Sequence, residues 1–210
     1  MINRKRALAA TAAAVTVPVA LAGPALAAGI AFTAPVTGTT TIAKTGQTES
    51  VPAGTTTHGE INGDTITSSM NVPVITTRVR LLDLPQYGDA TATVKIIETR
   101  PSVTKTKLDG SADGTAYFRI SIPAVYADAL PGVNLVSATC GTPEIIAPVH
   151  SDKLDLLKAS PVTSVFTIPA FTGCGIAGLG KADPRDQMIT DKVSGPGNTM
   201  NLMVGPAVLG

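Results

Sequence analysis

Two consecutive segments of alternating apolar and polar residues decide the fold; they lie in residues 91–122, which read TATVKIIETRPSVTKTKLDGSADGTAYFRISI. Their apolar members are Ala92, Val94 and Ile96 in the first segment and Ala116, Phe118, Ile120 and Ile122 in the second. A repeat of two is typical of a half-buried β-strand, because successive side chains point to opposite faces of the sheet. The sequence Asp-Gly-Ser-Ala-Asp-Gly at 109–114 is rich in turn-forming residues, so the stretch predicts an antiparallel β-hairpin.

The same kind of segment recurs on both sides of this hairpin. Further candidate strands are 71–84, where Val79 and Leu81 share a face, together with 133–140, 161–170 and 199–204. Seven or eight strands at this spacing predict an all-β fold, either an antiparallel β-sandwich or a partly open barrel. Only 15% of the residues are charged, which argues against a coiled coil or a charged disordered chain.

A short helix is predicted near the C-terminus, from Pro184 to Val193. Asp183 can cap its first turn, Pro184 suits the first helical position, and Gly195 follows its end. Residues 151–159 are compatible with either a helical turn or a strand, since their three leucines favour neither.

The N-terminus has the pattern of an export signal. Arg4, Lys5 and Arg6 precede an Ala/Val/Leu run that closes in Ala25-Leu26-Ala27, which indicates a signal peptide over residues 1–27 and cleavage before Ala28. We expect a Thr/Gly-rich edge hairpin or linker over residues 28–57 and a single β-sandwich-like domain over residues 58–210. No later stretch is long and apolar enough to predict a transmembrane helix after signal removal.

Charge narrows the class of partner. The chain has 16 Lys and Arg against 15 Asp and Glu, and three of the basic residues lie in the signal. The mature chain is therefore net negative by about two charges at neutral pH. Because nucleic-acid affinity depends largely on Lys and Arg contacts with phosphates, nucleic acid is not expected as a partner.

Cys140 and Cys174 are the two cysteines of the chain. Export would deliver them to an oxidising compartment, and two cysteines without a neighbouring histidine are too few ligands for a structural zinc site. We therefore expect one intramolecular disulfide between Cys140 and Cys174.

Two motifs could indicate a ligand site, but for each of them we favour a purely structural role. Residues 173–178 match the Gly-x-Gly-x-x-Gly dinucleotide pattern, but a disulfide at the second position and the delayed helix oppose a nucleotide site. The 109–114 loop carries Asp109 and Asp113, which are too few oxygen ligands for calcium unless other loops contribute. Neither a cofactor nor a metal is expected.

His58 and His150 are the candidates for a catalytic base, since they are the histidines of the chain. No Gly-x-Ser-x-Gly elbow is present to expose a serine nucleophile, and both histidines lie in polar, turn-like sequence. We expect neither to be catalytic, and we expect a non-enzymatic protein.

The alanine-rich leader, the Thr/Gly/Pro-rich start of the mature chain, the two-cysteine β pattern and Ser-Gly-Pro-Gly-Asn-Thr at 194–199 together resemble small exported proteins of actinobacteria. The resemblance implies a secreted or envelope-associated location and a β-rich fold. It assigns no site residues.

Three functions follow as hypotheses. The first is a secreted or envelope-associated β-domain with a structural or binding role. The alternative is an extracellular carrier of an apolar small molecule or lipid, because small side chains together with Met188, Met200 and Met203 could leave an internal cavity. The third is a secreted hydrolase. A dry internal pocket would favour the carrier, a cleft joining a histidine to carboxylates the hydrolase, and a filled interior the structural role.

Overall fold

The computed structural model describes residues 29–80, 88–175 and 184–210. The strands are β1 (Ile30–Ile42), β2 (Gln47–Ser50), β3 (Thr56–Asn62), β4 (Thr65–Asn71), β5 (Ile75–Arg80), β6 (Asp89–Thr106), β7 (Ala112–Ala127), β8 (Ile145–Ser151), β9 (Ser160–Ile168), β10 (Gly195–Val204) and β11 (Val208–Leu209). The helix α1 (Pro184–Val193) precedes β10. The predicted signal peptide, Leu81 and the capping residue Asp183 lie outside the described residues.

All these strands belong to one antiparallel sheet, with the order β10-β9-β8-β7-β6-β4-β3-β1-β11. The predicted all-β fold, its short C-terminal helix and its disulfide are confirmed. β10 also pairs with β1, through the register Val36↔Val204 to Thr41↔Thr199, so the sheet curls round until its two ends meet. Its apolar side faces inward.

Despite this pairing, the sheet is not closed as a barrel along its full length, because no backbone pairing joins β2 to β5. β3 and β2 both pair with β1, at its first and second halves, and β4 and β5 both pair with β6, at opposite ends. β3 and β4 pair with each other, whereas β2 and β5 lie outside the continuous path and pair only with β1 and β6. We call the opening between β2 and β5 the seam.

The predicted hairpin is the longest pair of strands. β6 and β7 pair from Ala90↔Ala127 to Thr106↔Ala112, with irregular register around Thr93–Lys95 and Glu98–Val103. Pro101 lies in the second irregularity, which agrees with the need for a bulge where proline cannot donate a ladder hydrogen bond. The bulges let two long strands bend with the curl of the sheet.

Residues 28–57 were expected to form an edge hairpin or a linker. The strands in the described part of this stretch, residues 29–57, include an edge strand, β2, that pairs with β1 alone. They supply the β1–β2 hairpin, but β1 has partners along both edges, with β3 and β2 on one side and β10 and β11 on the other. Thr-rich sequence suits this position because threonine is a good strand former.

The predicted strand at 133–140 is not formed. Asn134 instead binds the backbone on both sides of it: its Oδ1 accepts hydrogen bonds from the amides of Val125 at 2.9 Å and Val136 at 3.2 Å, and its Nδ2 donates to the Pro123 carbonyl at 2.9 Å. Such side-chain bonds compete with a sheet ladder. The segment folds as turns and ends at the buried disulfide between Cys140 and Cys174.

Candidate functional site

The inside of the curled sheet holds a cavity of about 370 Å³. Most of its lining is apolar and comes from the inner faces of the strands. Apolar liners from the central strands include Val79, Ala92, Val94, Ile96, Ala116, Phe118, Ile120, Ile122, Phe166, Ile168, Met200 and Leu202. The alternation that predicted the β6–β7 hairpin therefore also supplies much of the cavity wall.

The buried apolar residues form two separate clusters, and the cavity lies against both. The larger cluster surrounds the disulfide and includes Ile145, Ile168 and Phe171. The smaller one consists of Phe32, Ala34 and Ile66, with partly buried side chains packed against it. A domain of this size usually has one contiguous core. Residues of both clusters line the cavity, so the buried apolar side chains do not form one contiguous core.

The seam leads into this cavity. Residues on both sides of it belong to the lining, and the apolar ones, Val51, Pro52, Met70, Val72 and Ile75, are half-buried. The strand wall is interrupted here, because no backbone pairing joins β2 to β5. The seam is therefore the mouth of the cavity.

Hydrogen bonds between side chains cross the mouth. The Oε1 atom of Glu49 on β2 accepts a hydrogen bond from Thr77 Oγ1 on β5 at 2.8 Å and one from Gln47 Nε2 at 2.5 Å. Gln47 Nε2 also lies 3.5 Å from Thr77 Oγ1. These contacts stand where backbone pairing would join β2 to β5 in a closed sheet, and side-chain bonds at a partly exposed site separate more easily than a strand ladder.

Two other polar side chains line the cavity without a hydrogen-bond partner among the described residues. Glu98 on β6 lines it and has no hydrogen-bond partner among the described residues. Ser151, 4% exposed at the end of β8, has a buried hydroxyl that likewise lacks a partner in the described structure. Buried polar groups are normally hydrogen-bonded, so the Ser151 hydroxyl and the half-buried Glu98 carboxylate leave unused hydrogen-bonding capacity at the cavity wall.

Of the three methionines that the sequence suggested for a cavity, one lines it. Met200 lines it, as the sequence suggested. Met203 points outward on β10 and is 38% exposed, and Met188 lies on α1 away from the lining. Alternation along β10 explains the difference, since residues 200 and 203 fall on opposite faces of the strand.

His150 forms a charged cluster at the surface, on β8 beside the 109–114 turn. Its Nδ1 lies 2.7 Å from Asp113 Oδ1 and its Nε2 lies 3.1 Å from Asp152 Oδ1. Asp113 also binds Lys107 at 2.6 Å. The hydrogen bond with Asp113, and then that with Asp152, raises the pKa of His150 above its usual 6.5.

This cluster does not have the geometry of a hydrolase. In a Ser-His-Asp triad one ring nitrogen faces a carboxylate and the other faces the serine nucleophile, whereas both ring nitrogens of His150 face carboxylates. Two carboxylates favour the protonated imidazolium, which cannot act as a base. His58, the other candidate, is exposed on β3.

The 109–114 loop and the glycine motif at 173–178 contain side chains and amides that are bonded to other residues of the fold. Asp109 accepts hydrogen bonds from the amide and hydroxyl of Ser111, and these bonds hold the pKa of that carboxyl below its usual value. Cys174, the second position of the glycine motif, is in the disulfide, and its amide donates to Asp186 at 2.6 Å. Residues 176–178 of the motif lie outside the described ranges. Among residues 29–80, 88–175 and 184–210, no group of three His, Cys, Asp or Glu side chains could hold a metal.

We expect the Asp113→Asn substitution to lower the pKa of His150 more than Asp152→Asn does, because Asp113 makes the shorter bond and is the larger cause of the shift. Since the folded pKa is raised, the stabilisation from this cluster is fully present below pH 6.5 and is lost as pH rises through the folded value. NMR titration of the imidazole in wild type and both variants measures this. Equal pKa values in wild type and Asp113→Asn would contradict the assignment.

Comparison with family models, curated proteins and solved structures found no match to this chain. Within the described ranges, no helix has both the length and the apolar character needed to cross a membrane.

Proposed function

We propose that this protein is an exported carrier that binds an apolar small molecule or lipid inside the curled sheet. The observation that supports the proposal is the apolar cavity of about 370 Å³ between two separate buried clusters. Pockets for small molecules commonly enclose about 300 to 1,000 Å³ and are mainly apolar with a few polar groups. The carrier was the alternative to the structural or binding role in the sequence analysis, and the cavity is the feature that favours it.

The wall around the cavity suits a carrier because residues of the paired strands provide most of it. Val94 on β6 and Ile75 on β5, for example, both line the cavity and lie next to each other on paired strands. The large buried cluster around the disulfide lies against one part of the cavity and the Phe32 cluster against another. A wall that is already formed lowers the ordering cost of binding.

Two observations support export of the protein. The residues before Ala28 have the pattern of a signal peptide, and the Cys140–Cys174 disulfide is of the kind that persists in oxidising compartments. An apolar ligand outside the cytoplasm needs a protein that shields it from water, which the cavity would do.

We expect Ala116→Trp to weaken binding of the neutral fluorophore N-phenyl-1-naphthylamine at least about tenfold, because the indole occupies space that the ligand would bury. Ala116 lines the cavity and is half-buried on β7. The measurement is a fluorescence titration, since the dye brightens on leaving water.

The matched control is Ala129→Trp, which adds the same side chain at an exposed turn. The native chain has no tryptophan, so each variant carries one and the indole's own effect on the dye signal is compared directly. Dye bound equally by wild type and Ala116→Trp would place the binding site elsewhere. Absence of dye binding by wild type would count against the carrier.

A further inference from the structure

Apart from His150, the charged residues that line the cavity are acidic. Its acidic liners are Glu49 and Glu98, and no lysine or arginine occurs among the described residues that line it. His150 also borders the cavity, but both of its ring nitrogens are already paired with Asp113 and Asp152. A negatively charged group entering the cavity would therefore meet carboxylates with no unpaired cation to offset them.

Glu49 retains capacity to accept a ligand's hydrogen bond. Both of its bonds, from Gln47 and Thr77, go to Oε1, and Oε2 has no partner among the described residues. The carboxylate is half-buried at the mouth, so a group bound there would be partly removed from water. Hydrogen bonds to a carboxylate are about twice as strong as those between neutral groups.

The position of Glu49 determines which part of the ligand it would meet. The seam is flanked by half-buried apolar side chains, and the apolar wall of β6 and β7 lies behind it. An apolar body would occupy the interior, while a polar end would remain at the mouth beside Glu49. Glu98, which is also without a partner in the described structure, adds negative potential to the same cavity.

We propose that Glu49 selects ligands whose polar end donates a hydrogen bond and carries no negative charge, so that the carrier prefers amphipathic amines and then alcohols over fatty acids. This inference rests on the proposed function, because it assigns a ligand class to the same cavity. Complementary charge at a partly desolvated site favours the ammonium, and juxtaposed like charges disfavour the carboxylate.

The test uses three unbranched molecules of ten carbon atoms each: decylamine, decan-1-ol and decanoate. Each competes with N-phenyl-1-naphthylamine for wild-type protein at pH 7, and direct calorimetric titration measures each affinity independently of the dye. We expect the amine to bind most tightly, the alcohol next and decanoate at least about tenfold more weakly than the amine. Decanoate binding as tightly as the amine overturns the inference.

The variant Glu49→Gln removes the charge but keeps an oxygen that can accept the bonds from Gln47 and Thr77. It should reduce the preference for amine over decanoate by about tenfold. Glu60→Gln is the matched control, because Glu60 is exposed on β3 and does not line the cavity. An unchanged preference in Glu49→Gln, with the circular dichroism spectrum of wild type, also overturns the inference.

The two proposals fail in different ways. Dye and decan-1-ol bound by wild type, with no preference among the charged ends, would leave the carrier standing and remove the role of Glu49. Wild-type protein that binds neither the dye nor any decyl compound would remove both.

Discussion

Replacing Cys140 and Cys174 together by alanine is expected to lower the free energy of unfolding by about 4 kcal/mol. The two cysteines are 34 positions apart, and the bond between them restricts the unfolded chain most where the loop is long. Both are fully buried in the large cluster, which includes Ile145 and Phe171. Alanine is the replacement of choice, because a serine hydroxyl would be buried there without a designed partner.

Urea unfolding of wild type and the double variant, followed by circular dichroism, measures the difference. Wild type with added reductant serves as a second route to the same state, and thiol titration of unreduced, denatured wild type should detect no free thiol. A double variant as stable as wild type would show that the cluster holds its shape without the bond.

Gly38→Ala is expected to destabilise the protein by about 3 kcal/mol or more. Gly38 has φ of +132°, a conformation that side chains rarely adopt, and an added Cβ would lie 2.2 Å from the Asn201 carbonyl oxygen and 2.8 Å from Leu202 Cα. These atoms belong to β10, which pairs with β1 at this point. Backbone cannot move aside there without breaking the contact that brings the two ends of the sheet together.

Gly46→Ala is the matched control for this prediction. Gly46 also has positive φ, +66°, but an added Cβ has nothing within 4 Å, so it should cost about 1 kcal/mol of strain alone. Thermal and urea unfolding of both variants measure the two costs. Equal losses would mean that the close approach of β1 and β10 does not limit the side chain at Gly38.

Local pattern predicted the parts of the fold that depend on local chemistry. The alternation through Ala92 and Ile120 indicated two strands and their inner faces, and Pro184 with Gly195 indicated the helix. The local pattern could not predict the curvature or the strand order of the sheet, because the pairing of β1 with β10 joins segments far apart along the chain. The error at 133–140 has a local cause: one asparagine side chain there satisfies backbone groups that a strand would have used.

The sequence predicted only the kind of site, an internal apolar cavity, and not the polar residues that line it. Small apolar side chains suggested a cavity, but Glu49 lies in Thr-rich sequence that offered no reason to place it beside Thr77. Glu98 did leave a signal. It continues the even-numbered inner face of residues 92, 94 and 96, and a carboxylate on an otherwise apolar face is an exception that asks for a functional explanation.

The pairing of the first strand with the tenth also governs the order of folding. A chain made from its N-terminus exposes the outer edge of β1 until β10 exists to cover it, and closing so long a loop is slow. Unpaired strand edges promote aggregation during such delays. The part of β1 that pairs with β10 contains four threonines: Thr37, Thr39, Thr40 and Thr41. Threonine is polar and favours extended backbone, so a composition that resembles a linker suits a strand edge whose partner is made late in the chain.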